Sequence, residues 1–183
     1  MARVGGLGAA VALAAALALG APAAAQGTGE GAAAPASAEA VGRGPVTGLP
    51  LPRYVSLKAS RANARRGPGT THRVDWVFVR RGMPLEVIAE HGHWRRVRDP
   101  DSATGWVHYS LIRGDRTAIV TAEQVDFRET ADPAAPVTAR AEKGVIVDVA
   151  ECIVDWCRVS RGRVGGWAPK SALWGVAPGE VFD

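Results

Sequence analysis

Long apolar runs are missing from this sequence of 183 residues, and aromatic side chains make up only 6% of it. At most one apolar run approaches the length that spans a bilayer, which excludes a multi-spanning membrane protein. Hydrophobic residues at 47% and charged residues at 22% are near the averages of globular proteins, so wholesale disorder and a coiled coil are also excluded. The 22 glycines and 12 prolines predict many turns and short elements. The length allows one ordinary domain or two small ones.

Signatures of catalysis and of metal binding are missing as well. The sequence has no G-x-S-x-G elbow, H-E-x-x-H pair or glycine-rich phosphate loop. Both cysteines fall in a predicted hairpin, so we do not expect a histidine-activated thiolate. His91 and His93 flank a glycine at which we expect a turn, and no acidic or cysteine ligand supports them. We therefore predict no enzymatic activity, no metal site and no cofactor.

The amino terminus has the layout of a secretory signal peptide over residues 1–25. Arg3 is followed by an uncharged run of 16 residues, Val4 to Leu19, and small alanines precede Gln26. A retained signal anchor is the alternative. The next segment, 26–52, is rich in Ala, Gly and Pro and predicts a disordered linker. We expect the mature protein to be secreted or periplasmic, with no transmembrane span.

The remainder of the chain contains two related halves, offset by about 62 residues, which we assign to 53–115 and 116–178. Two tryptophans and an arginine recur in the same order, as Trp94, Arg96 and Trp106 in the first half and as Trp156, Arg158 and Trp167 in the second. Short valine-rich runs alternate with turn residues and leave no room for crossover helices. The predicted fold is therefore all-β, with two tandem small antiparallel barrels. The tryptophans are expected to contribute much of each core.

Three motifs of the first half resemble the bacterial SH3-type domain: N-A-R-R-G-P-G-T from Asn63, G-H-W-R-R-V from Gly92, and G-W-V-H-Y-S-L-I from Gly105. D-W-C-R-V and G-G-W-A-P-K-S-A-L-W-G-V resemble the same family in the second half, which departs from it at 126–130. The resemblance implies two SH3-like barrels of about five or six strands each, usually in extracytoplasmic proteins. It also implies a module linked to cell-wall or peptide binding. Recognition of proline-rich helices is not expected, because the chain has only two tyrosines.

The two cysteines, Cys152 and Cys157, flank a predicted hairpin turn of four residues. There they would face each other on adjacent strands, within reach of a disulfide. Two reduced, packed thiols are the alternative. Cys152 has the wrong parity for the face of Val149 unless a β-bulge intervenes. The matching pair in the first half is Glu90 and Arg95, which predicts a cross-strand ion pair.

Charge is unequal between the halves. Residues 53–115 contain 12 Lys or Arg and 6 Asp or Glu, a net charge of +6, whereas residues 116–178 contain 8 of each. Arginine favours bidentate contacts with carboxylate and phosphate, and an exposed aromatic ring could stack on a sugar or peptide. The candidate ligand-binding residues are Arg65, Arg66, Trp94, Arg95, Arg96, Trp106 and Tyr109. A solubilising arginine-rich surface, with both tryptophans in the core, is the alternative.

These observations predict a non-enzymatic extracytoplasmic binding module for peptidoglycan or cell-wall peptides. The alternative is a structural or adaptor protein whose tandem barrels bind another envelope protein. Nucleic acid is not an expected partner, because export would separate the chain from it.

Overall fold

A computed structural model describes residues 42–183, and these form an all-β structure, as predicted. The predicted signal peptide, 1–25, lies outside the described residues. A small hairpin comes first, formed by β1 (Gly42–Arg43) and β2 (Pro50–Leu51). No helix within 42–183 is long and apolar enough to cross a membrane.

The first half forms an antiparallel sheet of seven strands: β3 (Arg53–Leu57), β4 (Ala62–Arg65), β5 (Val74–Phe78), β6 (Pro84–His91), β7 (Trp94–Arg98), β8 (Thr104–His108) and β9 (Ile112–Arg113). Their spatial order is β5-β4-β8-β7-β6-β3-β9. A single 3-10 turn, Tyr109–Leu111, separates the last two strands. Consecutive strands mostly pair through short turns, as the spacing of glycines and prolines predicts.

The second half repeats this arrangement: β10 (Thr117–Val120), β11 (Gln124–Arg128), β12 (Val137–Glu142), β13 (Ile146–Cys152), β14 (Trp156–Arg161), β15 (Val164–Pro169) and β16 (Leu173–Trp174). The order is β12-β11-β15-β14-β13-β10-β16, and a 3-10 turn at Lys170–Ala172 again precedes the last strand. The duplication predicted from the sequence therefore extends to the topology of the two sheets.

Aliphatic side chains and one buried phenylalanine in each barrel, and not the repeated tryptophans, form the two cores. The first core contains Val87, Val97 and Val107, among other buried residues, and the second has Val147 and Val159 in the corresponding strands. Trp94 and Trp106 are only half-buried. The expectation that the tryptophans fill the core was wrong, because strand alternation directs them to the other face of the sheet.

A disulfide joins Cys152 to Cys157, which confirms the predicted pairing. The two residues face each other across β13 and β14, with Cα atoms 4.1 Å apart. The register shifts between Val149 and Glu151, so a bulge restores the parity that simple alternation denies to Cys152. The first sheet has the equivalent bulge, and there Glu90 faces Arg95.

The hairpin of β1 and β2 lies within the segment 26–52, for which the sequence predicted a disordered linker. Its turn binds the buried carboxylate of Glu90. The backbone N–H groups of Val46 and Thr47 donate to Oε2 at 3.1 and 2.9 Å, and the Thr47 hydroxyl donates to Oε1 at 2.7 Å. Arg53 donates to the same oxygen at 2.8 Å. Tertiary contacts, which composition does not report, order residues 42–52.

The two barrels lie in the same compact unit and meet through polar and aromatic contacts. The hydroxyls of Ser56 and Thr117 are 2.6 Å apart, and Thr117 donates to the carbonyl oxygen of Gly82 at 2.7 Å. The rings of Tyr54 and Trp174 pack edge-to-face with centroids 5.2 Å apart. Burial, with the negative charge of Glu86 adding to it, raises the pKa of Tyr54 to about 12. The junction is thus a packed interface.

Candidate ligand-binding face

Two arginines flank a tryptophan across three strands of the first barrel. Arg65 on β4 pairs with Trp106 on β8, and Trp106 pairs in turn with Arg96 on β7. Residues directly opposite on antiparallel strands project from the same face of a sheet. Gly105 and Val107 are buried on the inner face, so these three side chains project outward. We call this the Arg–Trp–Arg row.

A cluster of four aromatic rings lies beside the row, one step along the strands. Trp94 pairs with His108, and their rings meet edge-to-face at 5.4 Å. His108 contacts Tyr109 at 4.9 Å, and His93 lies 5.5 Å from Tyr109 and 6.0 Å from His108. Tyr109 is 48% exposed, so the cluster offers accessible ring surface. His93 and His108 were not among the residues predicted for this site.

An open groove of about 310 Å³ adjoins both features. Its lining consists of Arg61, Asn63, Arg65, Trp94, His108 and Leu111. The groove therefore combines cationic, amide and ring surface. Such a surface suits a polar ligand that has both an anionic group and flat CH-rich faces.

The charges at this face are not neutralised within the chain. Over residues 42–183, no carboxylate lies within 4.0 Å of a nitrogen of Arg61, Arg65 or Arg96. Arg65 donates to the carbonyl oxygen of His72 at 2.7 Å, and Arg96 donates to the Thr104 hydroxyl at 3.3 Å. These bonds orient the two guanidinium groups and leave most of their N–H donors for a ligand.

Arg95, which the sequence analysis placed in the binding set, faces the opposite side of the sheet and is only 7% exposed. Its Nε lies 3.5 Å from Glu90 Oε1, and its Nη1 donates to the carbonyl oxygens of Gly92 and Trp94. Because neighbours along a strand point to opposite faces, Arg95 cannot share the face of Arg96. Arg95 is thus buried in an internal ion pair and does not lie on the face predicted to bind a ligand.

Arg66 is exposed but lies in a separate ion cluster. Its Nε is 3.5 Å from Asp75, which Arg73 also contacts at 2.7 Å. The hydrogen bond from Arg73 is the main cause of the lowered pKa of Asp75. Of the seven predicted binding residues, the structure therefore brings Arg65, Arg96 and the aromatic residues together on one face.

The second barrel retains the row but pairs its charges. Arg128 pairs across strands with Trp167, which pairs with Arg158. Here each arginine lies near a carboxylate: Arg128 is 3.5 Å from Asp126, which Arg140 also contacts at 2.8 Å, and Arg158 is 3.3 Å from Glu151. The equivalents of the first barrel's histidines and tyrosine are also non-aromatic: Asp155, Pro169 and Lys170. The face with uncompensated arginines and clustered rings is a feature of the first barrel.

No group of three or more His, Cys, Asp or Glu side chains that could hold a metal ion occurs in the described part of the chain. The ring pair His93–His108 has no third such ligand. The face presents guanidinium donors and aromatic rings to a ligand.

Comparison with protein families identifies both halves. The family model described as bacterial SH3 domain matches residues 58–114 and again 121–175. This confirms the resemblance found in the sequence and the prediction of two tandem SH3-like domains. Among curated proteins, none matches the chain.

Two solved structures are similar in part. NlpC2 from Trichomonas vaginalis is 10% identical with a TM-score of 0.33, and NlpC1 from the same organism is 8% identical with a TM-score of 0.31. Each match covers 67% of this chain but only 48% and 45% of the respective chains. This chain thus corresponds to about half the length of either structure.

Proposed function

The chain belongs to the bacterial SH3 domain family, and we propose that it is a non-enzymatic binding module of the cell envelope. The proposed ligand is peptidoglycan, contacted at its peptide stems by the Arg–Trp–Arg row and the adjoining aromatic cluster of the first barrel. An extracytoplasmic location agrees with the disulfide, since such bonds persist in oxidising compartments.

The proposed mechanism is shallow surface recognition. A stem carboxylate would accept paired N–H groups from Arg65 or Arg96, and the ring of Trp106 between them would pack against peptide or sugar. Exposed ion pairs contribute roughly 0.2–1 kcal/mol each, and an aromatic contact about 0.5–1.5 kcal/mol. Two ion pairs and one aromatic contact sum to about 3.5 kcal/mol at most, so affinity for one site is weak, with a dissociation constant of about 3 mM or higher. The repeated units of a cell wall would compensate through avidity.

One observation carries this proposal: Arg65 and Arg96 flank the half-buried Trp106 and have no carboxylate partner among residues 42–183. The corresponding arginines of the second barrel are paired with acids. The arginines of the first barrel are therefore available to an anionic ligand, whereas those of the second barrel already contact carboxylates of the chain.

Co-sedimentation of the full chain with purified cell-wall sacculi, over a series of salt concentrations, tests the proposal. The variant R65Q/R96Q should lose most of the pelleted fraction, and salt should weaken the wild type steeply because exposed charges are screened. R128Q/R158Q removes the same charge at the equivalent positions of the second barrel and serves as the control. Absence of wild-type pelleting at low salt, or equal losses in both variants, would reject the proposal.

A second candidate is an adaptor that binds another envelope protein. The observation in its favour is apolar exposure at the tip of the disulfide-closed hairpin, where Ile153 is 39% and Val154 is 63% exposed. An interface built on these residues would resist salt. Binding to envelope fractions that retain their proteins, but not to purified sacculi, together with its loss in V154D, would favour this second function.

A further inference from the structure

Two equivalent turns of the repeats meet at the junction of the barrels. Arg80, Arg81 and Gly82 precede β6 in the first barrel, and Glu142, Lys143 and Gly144 precede β13 in the second. Both glycines have positive φ, 77° and 80°, a conformation that glycine adopts without the cost of a side chain. Arg80 donates from Nη2 to the carbonyl oxygen of Gly144, so one turn is bonded directly to the other.

Grooves of about 590 and 320 Å³ lie at this junction and share Arg80 and Arg161 in their linings. Their basic lining residues are Arg80, Arg81, Arg113, Arg140, Lys143 and Arg161. The acidic ones are Glu142 and Asp148, which leaves six positive charges against two negative, a net charge of +4. The second barrel is neutral by composition, yet it contributes three of these cations.

Three of the six cations have a carboxylate within 4.0 Å: Arg113 has Asp115, Arg140 has Asp126, and Lys143 has Glu123. The other three, Arg80, Arg81 and Arg161, are exposed and have no carboxylate within 4.0 Å in the part of the chain that the structure describes. Arg161 donates to the carbonyl oxygen of Ile146 at 2.7 Å. Arg80 and Arg161 are thus held in place by bonds to the backbone, which leave further N–H donors free.

We propose that the groove of about 320 Å³, which Arg80, Arg81 and Arg161 all line, is a second binding site for an extended polyanion. The carboxylate or phosphate groups of the polyanion would accept N–H bonds from these three arginines. Unpaired like charges that face one groove repel each other, and a bound oxyanion removes that repulsion. Guanidinium groups bind both kinds of oxyanion in a bidentate manner. The site requires both barrels, since Arg80 and Arg81 come from one and Arg161 from the other. It shares no residue with the Arg–Trp–Arg row and does not depend on the function proposed for that row.

The test measures binding of the full chain to two probes of matched length, linear polyphosphate and poly-L-glutamate, at low salt by isothermal titration calorimetry. The groove variant is R81Q/R161Q, which leaves the bond from Arg80 to Gly144 in place. The control K58Q/R158Q also removes one exposed charge from each barrel, outside the groove. We expect the groove variant to weaken binding by about tenfold or more, because it removes charge-assisted contacts, and the control by less than about twofold.

The probe that binds more tightly identifies the preferred oxyanion. R65Q/R96Q removes the same charge from the separate face of the first barrel, and it should weaken probe binding less than R81Q/R161Q does. Failure of both probes to bind at low salt, or equal weakening by R81Q/R161Q and K58Q/R158Q, would overturn the proposal. Thermal unfolding of each variant verifies that the barrels remain folded.

Discussion

Glu90→Gln is the substitution that should most change the stability of the first barrel. The side chain of Glu90 is fully buried, and its carboxylate accepts hydrogen bonds from two backbone N–H groups, from the Thr47 hydroxyl and from Arg53. Glutamine has the same shape, but it places an NH₂ group where one oxygen now accepts. The groups that donate to that oxygen in the wild type then face another donor, and the negative charge opposite Arg53 and Arg95 is lost.

The magnitude follows from these contacts. A hydrogen bond to a charged group contributes roughly 1.5–3 kcal/mol, and removal of one partner of a buried ion pair costs about 3–5 kcal/mol. The side chain of Arg53 is 18% exposed and can partly rehydrate, whereas the side chain of Arg95 is 8% exposed and cannot. We therefore expect Glu90→Gln to lower the free energy of unfolding by about 3 kcal/mol, at the lower end of the range for buried pairs.

The pH dependence gives a second, independent readout. Burial alone would raise the pKa of Glu90, but the hydrogen bonds from Thr47, Arg53 and Val46 outweigh it and hold the pKa at about 2, below the ordinary 4.5. A carboxyl with a lowered folded-state pKa contributes its full stability above the unfolded value and loses it as the pH falls toward the folded value. The difference between wild type and variant should thus persist at pH 7 and shrink between about pH 4.5 and 2.

Urea unfolding followed by tryptophan fluorescence measures the loss, and trypsin cleavage after Arg43 reports release of the hairpin formed by β1 and β2. Asp75→Asn is the matched control, since it removes the same charge from an exposed ion cluster and should change the free energy of unfolding far less. The reasoning is refuted if Glu90→Gln unfolds within about 0.5 kcal/mol of the wild type, the usual range for surface changes away from special features.

Three further predictions follow from other contacts. Replacing both Cys152 and Cys157 by serine should cost about 2 kcal/mol in urea unfolding, the chain-entropy value for so short a loop, and the unfolded, non-reduced wild type should show no reactive thiol. The folded pKa of Tyr54 is about 12 against an ordinary 10.0. The contribution of Tyr54 to stability should therefore be complete below pH 10 and lost between pH 10 and 12. The last tyrosinate absorbance should appear near pH 12. Trp106→Ala should reduce sacculus pelleting several-fold, whereas Trp76→Ala, which removes a ring packed against the core, should lower stability and leave pelleting unchanged.

Repetition of short strands predicted the two barrels, the motifs within each repeat predicted the family, and the four-residue hairpin spacing predicted the facing of Cys152 and Cys157. These features depend on the order of residues within one repeat, where strands adjacent in the chain also pair in space. Alternation could also have placed Arg95: Arg96 and Trp94 lie on one face of β7, so the residue between them must lie on the other. Treating neighbouring arginines as one basic cluster concealed that difference.

The hairpin of β1 and β2 and the aromatic cluster were beyond local patterns. Glu90 is 43 residues from Thr47, and composition alone gave no sign that this distant carboxylate would order the turn. His93 and His108 meet because β7 and β8 pair in a register that the sequence analysis did not assign. A signal was nevertheless present, since His108 follows Trp106 by two residues and therefore shares its face.

The equivalent position at the end of the long hairpin, β6–β7 in the first barrel and β13–β14 in the second, holds a different pair of facing residues in each barrel. Glu90 and Arg95 occupy it in the first barrel, Cys152 and Cys157 in the second. In both barrels it also anchors a terminal segment of the described chain. Glu90 binds the turn before β2, whereas the backbone of Cys152 exchanges hydrogen bonds of 2.8 and 3.1 Å with Phe182. A disulfide has no buried charge that requires hydrogen-bond donors, but a buried carboxylate requires donors from other parts of the chain. Glu and Arg introduced at 152 and 157 would lack those donors, so the two solutions should not be interchangeable.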